Sequence, residues 1–135
     1  MKEEWIRWQP LSNLAEKYYI DALIYNKSLK ILLSEENDDF KKILVTFESR
    51  INAFRFTEES YRLKLFGDLR EQYTADFFGR WTFFKVSNSS YIQWLFEQSI
   101  ILRNSDLTHF SVIGGDEVVD IVSTDEPKVE FVNFP

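Results

Sequence analysis

The run His109-Phe110-Ser111-Val112-Ile113-Gly114-Gly115-Asp116-Glu117-Val118-Val119-Asp120-Ile121-Val122-Ser123 sets the fold class. Two apolar segments, His109 to Ile113 and Val118 to Ser123, flank the turn Gly114 to Glu117. β-Branched residues at this density, broken by Gly-Gly-Asp, predict two strands of an antiparallel hairpin. Glycine suits such a turn because it takes positive φ without steric cost. In the second strand Val118, Asp120 and Val122 share one face, and Val119 and Ile121 share the other. Asp120 is therefore either an edge residue or a polar group that needs a buried partner.

On the C-terminal side, Asp125-Glu126-Pro127 ends the second strand. Lys128 to Phe134 gives another, with Val129 and Phe131 on one face, so this third of the chain reads as a three-stranded meander. On the N-terminal side, Asn88 or Ser89 suits the N-cap of a helix over Tyr91 to Ile100, where Ile92, Leu95, Phe96 and Ser99 form one stripe. Arg80 to Val86 reads as a strand. Residues 58–79 fit two descriptions. Tyr61, Leu63 and Leu65 alternate, yet Asp68 to Phe78 suits a short helix closed by Gly79. Asn52 to Thr57 alternates, Phe54 and Phe56 against Arg55 and Thr57, and Ser49-Arg50 reads as a tight connection into it. Ile43, Val45 and Phe47 have the same period of two, while Ile20 to Tyr25 and Leu29 to Leu33 form a hairpin about Asn26-Lys27-Ser28. Residues 1–18 read as a helical or irregular lead-in, interrupted by Pro10. Together these segments predict one α+β domain over 1–135, a mainly antiparallel sheet of hairpins and a meander carrying one or two packed helices.

Composition narrows the function. Of 135 residues, 22 are acidic and 16 are Lys or Arg, a formal net charge of -6. A phosphate-tracking surface needs the opposite field, so nucleic acid is not an expected partner. An acidic domain suits a basic protein partner, although such a charge also serves solubility. There is no cysteine, hence no disulfide or thiol nucleophile, and a cytoplasmic setting is expected. The segment Met1-Lys2-Glu3-Glu4-Trp5 is acidic where a signal peptide is basic, and no apolar run nears the roughly 20 residues of a membrane span. Aromatics reach 17%, from 13 Phe, 6 Tyr and 4 Trp. Rings beyond those the core needs would anchor a partner.

No motif carries readable catalysis. Gly114-Gly115-Asp116-Glu117-Val118 resembles the GGDEF signature of diguanylate cyclases at four of five positions, but an Asp-bearing strand and Asn-Arg segment upstream are missing. Turn chemistry explains it better. The single histidine, His109, has no Gly-x-Ser-x-Gly elbow to serve and reads as structural. Asp116 with Asp120, or Asp125 with Glu126, lacks the ligand spacing of an EF-hand loop, so no metal and no cofactor is expected. P-loop and dinucleotide fingerprints are absent.

Ile51 to Arg62, Trp81 to Leu95 and His109 to Phe131 resemble small uncharacterised proteins of Bacillus and related Gram-positive bacteria. Some of these are immunity proteins of polymorphic or contact-dependent toxin loci. The resemblance implies a non-catalytic domain that occludes a basic toxin domain, with no residue roles to carry over. The expected partner-binding surface is Asp116, Glu117, Asp120, Asp125 and Glu126, with Glu35, Glu36, Asp38 and Asp39 as the alternative. Two other functions fit the composition: a small-molecule-binding module with an aromatic-lined cavity, and a carboxylate- or metal-dependent enzyme. Oligomeric state is open.

Overall fold

The period-two segments become strands, and their parity dictates how the strands are shared between two sheets. The computed structural model describes residues 2–49, 51–99 and 106–133. Within them lie nine strands: β1 (Glu4–Arg7), β2 (Tyr18–Tyr25), β3 (Leu29–Glu35), β4 (Asp38–Phe47), β5 (Ala53–Glu58), β6 (Phe83–Ser87), β7 (Thr108–Ile113), β8 (Glu117–Ser123) and β9 (Lys128–Asn133). A 3-10 turn (Glu59–Arg62) leads into helix α1 (Leu63–Gln72), followed by α2 (Ala75–Gly79) and, after β6, α3 (Ser90–Gln98). The strands form a five-stranded sheet ordered β1-β6-β7-β8-β5 and a four-stranded sheet ordered β2-β3-β4-β9. Every pairing is antiparallel.

Alternation places Leu29, Ile31 and Leu33 beside Ile43, Val45 and Phe47 on one face of the four-stranded sheet. These six are buried against Phe83, Phe110, Val112, Val119 and Ile121 from the five-stranded sheet. The opposite face of that second sheet carries Trp5, Phe84, Val86, Ile113 and Val118, which pack with Phe66 and Leu69 of α1. The five-stranded sheet is thus the middle of three layers, which is why β7 and β8 are buried at almost every position. A strand covered on both faces loses the polar half of its alternation.

The hairpins β2–β3 and β7–β8, the strand β5 and the Ser89-capped helix form as their sequences predict. Ser89 Oγ accepts the Ile92 N–H at 3.0 Å, as an N-cap should. Two expectations change, and one open choice is decided. The last strand does not extend a meander. Val129 and Phe131 of β9 align with Val45 and Ile43 of β4, because that strand would otherwise leave its ladder open. The lead-in, expected to be helical or irregular, instead supplies β1, which pairs with β6 and packs Trp5 with Phe84, Phe66 and Leu69. Of the two descriptions that fit residues 58–79, the helical one holds from residue 59 onward, apart from the break between α1 and α2. Arg50, Ile100 and Phe134, which the sequence reading assigned to a connection, a helix end and a strand end, lie outside the described residues.

Glycine in the β7–β8 turn has a different reason from the expected one. None of the chain's glycines has positive φ. A Cβ on Gly115 would land inside the ring of Tyr19, and one on Gly114 would sit 3.1 Å from Ile20. The turn is glycine because β2 of the other sheet packs directly against it.

Candidate functional site

Asp120 organises the middle sheet. Its parity turns it toward the helical layer, where it is 0% exposed. One carboxylate oxygen meets His109 Nε2 at 2.7 Å, and the other accepts from Arg55 Nε at 2.7 Å and Arg62 Nη1 at 2.8 Å. Burial alone would raise the Asp120 pKa. The hydrogen bond and charge of His109, with the guanidinium groups of Arg62 and Arg55, outweigh it and hold the carboxyl well below the usual range. Arg55 sits on β5 and Arg62 ends the 3-10 turn, so one carboxylate ties both to β8. The Arg55 guanidinium also lies 4.2 Å from the centroid of Tyr91 on α3.

His109 is equally buried, with Nδ1 2.7 Å from Ser89 Oγ. Hydroxyl, imidazole and carboxylate thus stand in the order that nucleophilic serine chemistry uses. Three contacts give the row a structural role instead. Ser89 Oγ is occupied by capping α3, and two arginines neutralise the carboxylate that would strengthen the imidazole as a base. The row locks α3 onto the sheet.

The expected partner surface divides. Asp120 is removed from it entirely, since a buried carboxylate engaged by three cationic or donor groups is unavailable to a partner. Asp116 and Glu117 lie at one end of β8, and Asp125 and Glu126 lie beyond the other. Seven residues of strand put about 20 Å between the two pairs. Glu126 is engaged by Lys85 at 2.5 Å. In the alternative region, Glu35 and Asp38 close the β3–β4 hairpin as an aligned pair in the other sheet. No three His, Asp or Glu side chains among the described residues are grouped to hold a metal ion.

What joins Asp116 and Glu117 is a pair of acids, the last residue of β5 and the first of the 3-10 turn. Glu58 aligns with Glu117 across the strands, and the Glu59 N–H donates to the Asp116 carbonyl at 2.9 Å. Burial raises the Glu117 pKa, and the charges of Asp116, Glu58 and Glu59 raise it further. Among the described residues no ion pair reaches Glu58, Asp116 or Glu117. Beside these acids, Tyr61 is 82% exposed and Leu63 65%. The chain around Glu58 and Glu59 gave the sequence reading no signal, because their meeting with Asp116 depends on a strand pairing that spans more than fifty residues.

A groove of ≈ 470 Å³ adjoins this corner, walled by Tyr19, Phe66 and Phe78 with Glu59 and Arg70. Lys17 lines it, its Nζ donating to the carbonyl oxygens of Phe78 at 2.7 Å, Trp81 at 2.8 Å and Ile113 at 2.7 Å. Burial pushes the Lys17 ammonium down to about 7, with the Glu59 charge pulling back upward. No helix among the described residues is long and apolar enough to cross a membrane. Comparisons with protein-family models, curated proteins and solved structures find no match for this chain.

Proposed function

We propose that this chain is a protein-binding domain of immunity type, one that neutralises a basic toxin domain by covering it with the corner of Glu58, Glu59, Asp116 and Glu117. The observation that carries this reading is the gathering of four carboxylates, of which Glu58, Asp116 and Glu117 have no ion pair among the described residues to offset their mutual repulsion. A cationic surface would relieve it, and opposite potential also speeds encounter and rejects other partners. Tyr61 and Leu63 supply apolar area next to the charges, the combination that anchors interfaces. The Asp120 clamp holds β5 and the 3-10 turn in place, so the corner is rigid before it meets its partner.

The test is co-purification with the product of the neighbouring gene, together with protection of cells that express it. Charge reversal at Glu58 and Asp116 should abolish both while the protein stays folded. Full protection by the doubly reversed protein, or no complex with the unaltered one, would end this reading.

A further inference from the structure

The geometry points to Lys17 as a nucleophilic amine at the base of the groove, placed to condense with a small 2-oxo acid. This inference stands apart from the partner reading and uses different residues of the same end of the molecule, save Glu59.

Its first support is the setting of Nζ. An ammonium fills the three carbonyl oxygens of Phe78, Trp81 and Ile113 with its three protons. A neutral amine has two protons and a lone pair, and the third carbonyl oxygen repels that lone pair. Losing the proton thus frees one direction at Nζ, and the groove that Lys17 lines is where the lone pair could meet an electrophile. With burial holding the group at about 7, the neutral form is well populated near neutral pH, whereas an ordinary lysine is almost wholly protonated there.

The second support is what surrounds it. Tyr19, Phe66 and Phe78 give apolar walls, and a volume of ≈ 470 Å³ lies within the range of small-molecule sites. Arg70 on the same groove offers a planar pair of donors suited to a carboxylate. Glu59, whose charge already acts on Lys17, faces the groove as a proton carrier. A 2-oxo acid brings a carboxylate and an electrophilic carbonyl carbon a bond apart. Its charge and its two functional groups match this set.

The step balances without an oxidant. The Nζ lone pair forms a bond to the carbonyl carbon, and the carbonyl π pair moves to oxygen, which takes up a proton. That first proton comes from the attacking nitrogen; in the second stage the nitrogen lone pair expels the hydroxyl, which leaves as water with nitrogen's second proton carried over by Glu59, giving an imine.

The experiment treats the full chain with pyruvate or phenylpyruvate and cyanoborohydride, which reduces an imine to a stable amine, and locates the adduct by peptide mass spectrometry. Lys17 should be modified at least about tenfold faster than exposed Lys30 or Lys64, because far more of it is neutral at the same pH. The labelling should saturate with oxo acid, climb as pH rises through about 7, and vanish in K17R. R70Q should raise the half-saturating concentration of the oxo acid and leave labelling by an uncharged aldehyde unchanged. If K17R does not fold, selectivity in the unaltered chain and its response to R70Q decide the matter. Labelling spread over surface lysines with Lys17 spared, or Lys17 labelling that fails to saturate, overturns the inference.

Discussion

Asp120 and Lys17 show how two buried ionisable residues respond to pH in different windows. Asp120→Asn keeps the shape of the side chain but leaves Arg55, Arg62 and His109 without their shared anion. Removing one member of a buried ionic cluster costs about 3–5 kcal/mol, so urea unfolding should show a loss of that order. The folded Asp120 carboxyl holds its proton less tightly than the unfolded one. Its contribution is therefore complete above the unfolded value near 3.8 and is lost as pH falls below it, so acid unfolding of the unaltered protein should steepen there and D120N should lack that phase. Lys17 is also depressed, but from 10.5 to about 7. Between those values the unfolded chain binds the extra proton, so stability should rise with pH from about 7 to 10.5, by roughly 2–4 kcal/mol. Chemical denaturation across that range should be flat in Lys17→Met. The sequence marked Asp120 as needing a partner if buried, and it was right to. It gave no hint which, because His109, Arg55 and Arg62 meet it only through the strand pairings and the 3-10 turn.

At the scale of elements, the β7–β8 hairpin was plain from its residues, yet its glycines serve a contact that sequence cannot display. Gly115→Ala places a methyl in the Tyr19 ring and should cost about 1–3 kcal/mol by overpacking. Thermal unfolding of the double variant with Tyr19→Ala should recover part of the loss contributed by the clash, a coupling that independent sites would not show. Hairpins, the β5 alternation and the Ser89 cap were legible because each depends on neighbours in sequence. The pairing of β1 with β6 and of β9 with β4 was not, since residues 4–7 and 128–133 are ordinary short strands whose partners are fixed by which ladder lacks one. The helical stretch after β5 was obscured by alternation at Tyr61, Leu63 and Leu65. Of these, Tyr61 and Leu63 point outward, so the alternation reported no buried face.

For the whole molecule, charge has been concentrated at one end of the middle sheet at some expense of stability. Glu117→Gln should raise the unfolding free energy slightly, by about a few tenths of a kcal/mol, since it removes a carboxylate that burial and three neighbours of like sign disfavour. The same substitution should weaken capture of a basic partner, and a rise in stability with unchanged binding would place the interface elsewhere. The order of strands has a kinetic consequence. Glu4 aligns with Ser87, and Lys41 with Asn133, so neither sheet closes until distant parts of the chain have met. Such non-local pairing sets folding on a scale of roughly milliseconds to seconds. Until the last strand arrives, β4 offers an open rim of unpaired amides and carbonyls. A nascent or nicked chain lacking residues 128–133 should therefore exchange strands with its neighbours or aggregate through that rim.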